Sequence, residues 1–410
     1  MSVLLERQGA HRFYVHTQMA FGPTTFSLYH NVVRSQLMTN PSIVVSNDQP
    51  QKPYRVLCID GGGMRGLYSV CVLRDLARRL TKFTPGEELD LGKAFDLIVG
   101  TSTGSIQACG LAAGVSCEKI EKMFVGYGPK IFPDPVPSLK KGLSFLFWAY
   151  RYKSKPSAKA NVLNDALIEA FGSETLDQVY TRRKIALCIP AVKGSNFKSI
   201  IFKTPHDPDL IRDKNRSLVD ICLASAAAPS FFPLHQILMN DENRKDNAFI
   251  DGGLWANTPI LVGLAEALQL SSKHQTIEIL SVGNCAQPSG DPSALGDFNW
   301  GLKKWKVGIE MLNASISAQA IGHKYIAESV AKSFAALGKS IFVFRLPETP
   351  KSPDQFSAIG LDRADEQSVR TLRAMAESDV DEANSILVHS QDPQIKPFRE
   401  LLSTVPIKSN

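Results

Sequence analysis

No apolar run in this 410-residue chain approaches the ~18 residues that a bilayer-spanning helix requires. The longest strongly apolar windows, such as 143–150, stop far short, so any membrane contact is expected to be peripheral. Residues 1–22 are interrupted by Glu6, Arg7, His11 and Arg12 before an apolar core of signal-peptide length develops, and no secretion signal is visible. The seven cysteines (58, 71, 109, 117, 188, 222 and 285) form no C-x-x-C pair, and the eight histidines no H-x-x-x-H pair on a helix. That spacing excludes the usual zinc arrangements, and neither a metal nor a cofactor is expected. Most of the cysteines lie in apolar runs, as free thiols in a reducing compartment do, so a cytoplasmic protein in peripheral contact with the membrane is expected. A large excess of one charge is missing too. With 46 basic and 40 acidic residues the net charge is +6, too mild for nucleic acid and compatible with an anionic surface. No internal repeat or low-complexity tract divides the chain, so one domain with long insertions is more economical than two.

A hydrophobic fraction of 44% supplies a core. Residues 1–52 have no sustained period and read as an N-terminal extension; 53–390 read as the main domain and 391–410 as a polar C-terminal tail. From Tyr54 a buried-strand run (55–60) leads into a glycine loop and a helix (67–80), and a second apolar run (95–99) leads through another glycine turn into a helix (105–113). Two successive strand-to-helix passages predict a three-layer α/β/α fold around a mostly parallel central sheet. Further strands are expected at 184–192, 199–203, 249–250, 277–282 and 341–345. Helices are expected at 161–171, 218–226, 259–270, 311–334 and 365–388.

The second glycine turn is Gly100-Thr101-Ser102-Thr103-Gly104. One hydroxyl between two glycines, after a strand and before a helix, is the sequence form of a nucleophile elbow. The first loop, Gly61-Gly62-Gly63-Met64-Arg65-Gly66, also satisfies G-x-G-x-x-G. A dinucleotide site would need a second strand ending in an acid about 20 positions on. The chain there is the turn-like Thr84-Pro85-Gly86-Glu87, and Asp60 would repel a pyrophosphate. No Gly-Lys-Ser/Thr closes a P-loop. What remains is a cluster of backbone N–H groups at a helix N-terminus, the arrangement an oxyanion hole needs. Arg65 reads equally as a residue fixing this loop or as a solvated first-turn arginine.

A serine hydroxyl attacks poorly without a base. Asp251-Gly252-Gly253 puts a carboxylate at a strand end before a new helix; neither His206 nor His235 has comparable surroundings. A histidine partner stays open; for the carboxylate, a weak base near its reference pKa of ~3.9, either burial raises its value or the serine's falls, and a largely buried site is expected.

Together these three stretches make the chain resemble the patatin-like phospholipases, over about 55–372. Ala224-Ser225-Ala226-Ala227-Ala228-Pro229-Ser230-Phe231-Phe232-Pro233 and Trp255-Ala256-Asn257-Thr258-Pro259 look like the same family, with Thr258 where a second Asn is commoner. The resemblance implies metal-independent hydrolysis of lipid acyl esters by a Ser–Asp dyad through an acyl-enzyme, on a three-layer α/β/α fold. Carried over, Ser102 is the nucleophile and Asp251 its base. The N–H groups of Gly62 and Gly63, helped by Thr103, hold the oxyanion. Gly61, Gly66, Gly100, Gly104, Gly252 and Gly253 complete the motifs. The substrate implied is a phospholipid at a membrane surface. The chain looks most like bacterial members, some of which are anti-phage effectors switched on by a cyclic dinucleotide, so such an activator is an expected partner. No residue is nameable as its sensor, and a homo-oligomer stays open. An acyltransferase of related fold, which usually pairs its serine with histidine, and a non-catalytic lipid- or nucleotide-binding module are the alternatives.

Between 138 and 160 lie six basic residues (Lys140, Lys141, Arg151, Lys153, Lys155, Lys159), five aromatics (Phe145, Phe147, Trp148, Tyr150, Tyr152) and no acid. Rings beside lysines suit an anionic lipid interface, and the position after a turn region at 129–137 suits a lid. An aromatic helix packed on the core with a solvated basic edge fits as well. Trp300, Lys303, Lys304, Trp305 and Lys306 form a second, weaker group.

Overall fold

The computed structural model describes residues 51–84, 86–137, 142–237, 248–285, 309–350, 352, 355 and 358–408. The chain separates into two units, Met1–Pro50 and Gln51–Asn410. The first lies outside the described residues, as do Lys140, Lys141 and the basic-aromatic group at 300–306.

In chain order the first elements are β1 (Tyr54–Ile59), α1 (Gly66–Leu80), β2 (Leu97–Gly100), α2 (Thr103–Ala113), α3 (Cys117–Ile131), α4 (Gly142–Arg151), α5 (Ala160–Phe171) and α6 (Leu176–Arg183). Then come β3 (Ala186–Lys193), β4 (Ser199–Lys203), α7 (Leu218–Ser225), β5 (His235–Gln236), β6 (Ala248–Asp251), α8 (Gly253–Ala256), α9 (Ile260–Leu270) and β7 (Ile277–Val282). The last are α10 (Ile309–Ala335), β8 (Ile341–Arg345), α11 (Glu366–His389) and α12 (Lys396–Ser403).

The sheet has the order β5-β6-β3-β2-β1-β7-β8, with β4 also on β3. Strands β3, β2, β1, β7 and β8 are mutually parallel, while β4, β5 and β6 add antiparallel pairings. The period of two along each parallel strand splits its side chains between two cores. Leu57, Ile59, Ile98, Leu187 and Leu280 face one core with α1, α2, α3 and α11. Val56, Cys58, Leu97, Val99, Cys188 and Ile279 face the other with α9 and α10. Helices therefore cover both faces, and the fold is the expected three-layer α/β/α.

Two segments differ from the sequence expectation. Pro129, read as the start of a turn region, lies inside α3, which continues to Ile131. The proline forfeits one i→i−4 bond near the end of the helix, and the burial of Ile120, Phe124 and Ile131 against the core offsets that loss. The supposed polar tail carries α12, whose Phe398, Leu401 and Leu402 are fully buried. Their i, i+3, i+4 spacing forms one apolar face that packs beside α1, where Thr81 Oγ1 donates to Leu402 O at 2.7 Å.

Candidate active site

Strand β2 ends at Gly100 and α2 starts at Thr103, so Ser102 is held in the sharp turn between them, with φ 54° and ψ −125°. A non-glycine residue in that region is strained, and the surroundings must impose it. Ser102 N–H donates to Ser225 Oγ at 3.0 Å, and Ser105 N–H to Ser102 O at 2.9 Å. A Cβ on Gly100 would lie 2.1 Å from Gly104 O, and one on Gly104 2.5 Å from Ile59 O. Both glycines let the turn close against its own helix and against β1.

The register of β3 brings the second partner to the same end of the sheet. Val99 of β2 lies opposite Cys188, and Asp251 of β6 lies opposite Ala191. Ser102 Oγ thus donates to Asp251 Oδ2 at 2.6 Å, while Asp251 Oδ1 accepts the Gly253 N–H at 2.6 Å. Ser102 is 8% exposed and Asp251 5%. Burial pushes the Asp251 carboxyl up to about 6, against the lowering effect of the bonds from Ser102 and Gly253.

The glycine loop faces this pair. Gly62 N–H donates to Thr103 Oγ1 at 3.2 Å, so of the three expected oxyanion donors one is already engaged by the side chain of another. Gly63 has φ +56° and passes so close to Leu361 that a Cβ would lie 2.2 Å from its carbonyl oxygen. A Cβ on Gly62 would lie 2.7 Å from Asn284, and one on Gly61 2.6 Å from Asn257 Oδ1. Gly66 starts α1 against Phe124, and Gly252 packs 2.3 Å, counted to a Cβ, from Pro190 O. Arg65 is buried, not solvated, and its N–H donates to Gly62 O at 3.1 Å. Desolvation lowers its guanidinium pKa, with Glu348 close enough to oppose that.

Further residues support the site, some from the Trp255–Pro259 stretch and others, such as Gln319, from no motif. Asn257 Nδ2 donates to Gly61 O at 3.0 Å and its carbonyl accepts the Gly61 N–H at 2.9 Å, joining the glycine loop to the Asp251 turn. Gln319 of α10 accepts the Asn257 N–H at 2.8 Å and donates to Gly253 O at 3.2 Å. Asp60, the supposed obstacle to a phosphate, pairs with Arg345 at 2.7 Å and accepts from Thr258 Oγ1 at 2.8 Å. The histidines weighed as partners are elsewhere: His206 contacts Glu266 at 2.8 Å and His235 contacts Asp220 at 3.0 Å. Among the described residues Cys188, His206 and Glu266 bring ligand atoms within 4.8 Å of one another. Glu266 already bonds Lys203 through Oε2 at 2.5 Å and His206 Nε2 through Oε1 at 2.8 Å, and His206 Nδ1 bonds Thr204 Oγ1 at 2.7 Å. Burial also raises the Cys188 thiol well above its usual value, so this cluster is a closed ion-paired network.

Above Ser102 and Asp251 opens a cavity with about 990 Å³ of empty space, counted out to its mouth. Its walls are apolar, including Met64, Phe124, Phe132, Leu163, Phe231 and Leu312. Among the described residues, the polar side chains in its lining are Ser102, Thr103, Asp251 and Asn257. This combination admits a long apolar group and presents its polar terminus to the serine.

The patatin-like phospholipase family model matches residues 57–264. A cGAMP-activated phospholipase of Escherichia coli is 32% identical over 81% of this chain and 90% of its own length. Proteins of the same description from Vibrio cholerae (31%, covering 66% and 75%) and Pseudomonas aeruginosa (30%, covering 86% and 94%) are also similar. The chain belongs to the patatin-like phospholipases, hydrolases of lipid acyl esters.

Proposed function

We propose that Ser102 and Asp251 are the catalytic dyad of a phospholipase A-type reaction on the fatty-acyl esters of membrane phospholipids. The observation that carries the reading is the 2.6 Å bond from Ser102 Oγ to a buried carboxylate at the floor of an apolar cavity. The acyl chain lies along the apolar walls with its ester carbonyl at Ser102. Asp251 accepts the hydroxyl proton as Oγ bonds to the carbonyl carbon, and the carbonyl electrons move to oxygen. The N–H groups of Gly63 and Thr103 receive that oxyanion, joined by Gly62 when its bond to Thr103 Oγ1 opens. The intermediate collapses, the lysolipid alkoxide leaves with the proton from Asp251, and an acyl-enzyme remains. Water then gives a proton to Asp251 and attacks the acyl carbonyl, releasing fatty acid and restoring Ser102.

The three bacterial relatives are named for activation by cGAMP, and the same activator is proposed for this chain in an anti-phage response. Fatty-acid release from phospholipid vesicles by wild type, Ser102→Ala and Asp251→Asn, each with and without cGAMP, tests both parts. Loss of about 10⁴-fold or more in both variants is expected. Undiminished release by Ser102→Ala would remove the nucleophile assignment, and equal release with and without cGAMP would remove the activator.

A further inference from the structure

Helix α4 carries two apolar stripes, and only one of them faces protein. On the inner side Phe145 is buried, Trp148 stacks on it at 6.5 Å, and Tyr152 lies 5.1 Å beyond. Trp148 Nε1 donates to Asp134 O at 3.1 Å and Tyr152 OH to Asp134 Oδ2 at 2.8 Å. On the outer side, at i, i+3, i+4 and i+7, stand Leu143, Leu146, Phe147 and Tyr150, exposed by 85, 64, 70 and 70%. Four large apolar side chains in a row facing water mark a surface that something covers.

What surrounds the stripe selects the occupant. Arg151 at its end pairs with Asp134 at 3.2 Å, while Lys153, Lys155 and Lys159 beyond it are exposed, and residues 142–160 contain no acid. Lys153 Nζ sits 4.2 Å over the Tyr150 ring, so the cation borders the apolar face directly. A second copy docking through this stripe about a two-fold axis would set these cations against their own images. An anionic bilayer instead meets both features, with hydrocarbon for the stripe and phosphates for the amines.

The helix is also fastened to the cavity rim. Past its C-terminal end, Ala158 N–H donates to Phe231 O and Lys159 N–H to Ile131 O, each at 2.9 Å. Before its start, Phe132 packs edge-on against Phe232 at 5.7 Å. Ile131, Phe132, Phe231 and Phe232 all line the cavity above Ser102. The chain on either side of α4 is therefore bound to residues that wall the cavity.

We propose that α4 is the membrane-docking helix of this phospholipase. Its Leu143, Leu146, Phe147 and Tyr150 stripe enters the acyl-chain boundary, and Lys153, Lys155 and Lys159 hold anionic headgroups. The route it provides for a lipid rests on the proposed role of the cavity, but the docking itself does not.

Binding is measured on the full chain carrying Ser102→Ala, which leaves the lipid intact, by co-sedimentation with phosphatidylcholine vesicles with and without phosphatidylglycerol. Two double variants are added, Leu146→Ser with Phe147→Ser, and Lys153→Glu with Lys155→Glu, each with and without cGAMP. All four positions are exposed or on the helix surface, so neither pair opens the core. The parent is expected to favour the phosphatidylglycerol vesicles, and each double variant to lose at least about tenfold in binding. The same pairs in the Ser102 background are expected to lose vesicle hydrolysis to a like extent and to keep turnover of soluble p-nitrophenyl butyrate. Parent-like vesicle binding by both double variants, or no binding by the parent, would overturn the proposal. So would a dimer in sedimentation velocity that Leu146→Ser with Phe147→Ser dissociates without changing vesicle binding. If Ser102→Ala instead retained hydrolysis, the catalytic reading would fail while the binding result stood.

Discussion

Ser225 Oγ accepts the N–H of Ser102 at 3.0 Å and donates its own proton to Pro190 O at 2.6 Å. The same residue's carbonyl accepts Gly252 N–H at 3.1 Å, and Ala227 O accepts Asp251 N–H at 3.1 Å. The C-terminal end of α7 thus braces the elbow on one side and the aspartate turn on the other. The spacing of Ser102 and Asp251 is held by this brace together with the strands.

Ser225→Ala removes a buried donor and acceptor together and leaves Ser102 N–H and Pro190 O without that partner. A loss of about 1–3 kcal/mol in stability is expected by urea unfolding. Turnover should fall further than stability accounts for, because the strained φ of Ser102 loses one of its restraints. A variant that unfolds earlier but retains full kcat would show that the elbow is held without Ser225.

The pH dependence of the reaction follows from Asp251. Its carboxyl is pushed up to about 6 by burial and must be ionised to accept the serine proton. With soluble p-nitrophenyl butyrate, kcat/KM is expected to fall about tenfold per pH unit below 6 and to level off above it. A limb centred near 4 would mean that the carboxylate is solvated during turnover.

The same shift predicts a stability effect of opposite benefit. For an acid whose folded value lies above its unfolded value of ~3.9, the favourable contribution exists at low pH, where both states are protonated. It is lost as pH rises from 3.9 to about 6, and above that the ionised, buried group costs about 3 kcal/mol. Asn at this position keeps an oxygen for the Gly253 N–H and carries no charge. Asp251→Asn is therefore expected to melt at a higher temperature than wild type at pH 8, with the difference shrinking toward pH 5, while being inactive.

The sequence was informative where geometry is written in small residues. Gly100, Ser102 and Gly104 announce the elbow because a close approach there tolerates no Cβ, and the strands nearby are continuous apolar runs. Asp251 was visible for the same reason, at a strand end before two glycines. Ser225 stood in a noticed run of alanines, yet nothing local shows that its hydroxyl spans Ser102 and Pro190, residues 123 and 35 positions away. Gln319 and Asn284 were silent because their partners are backbone atoms on other elements. Helices α3 and α12 were missed since Pro129, or a short polar-flanked run, reads locally as turn or tail. Packing on α1 decides both.

The C-terminal residues are accordingly expected to be structural. Ending the chain at Ser390 removes Phe398, Leu401 and Leu402, all fully buried, and uncovers the face of α1 beneath them. At about 1.5–3 kcal/mol for each buried side chain, a loss of about 5 kcal/mol or more is expected by urea unfolding. A truncated chain as stable as the full one would return this segment to the status of a tail.

Two glycine substitutions separate a mechanical requirement from ordinary tolerance. Gly63 sits at φ +56° with the Leu361 carbonyl 2.2 Å from where a Cβ would stand, and Leu361 O also accepts the Met64 N–H at 2.8 Å. Alanine there must push the 360–362 segment away or rotate the loop, and either movement turns the Gly63 N–H from the serine. Turnover is expected to fall by about 10²–10³, the usual effect of losing one oxyanion donor. Gly126, by contrast, lies exposed inside α3 with nothing within 4 Å of its absent Cβ. Gly126→Ala is expected to add about 0.5–1 kcal/mol of stability through helix propensity and to leave turnover unchanged. Assaying both variants against vesicles and a soluble ester tests the loop directly, because docking through α4 involves neither residue. If Gly63→Ala kept its turnover on the soluble ester, the glycine loop would not be the oxyanion hole, and the donors would have to be sought at the N-terminus of α2.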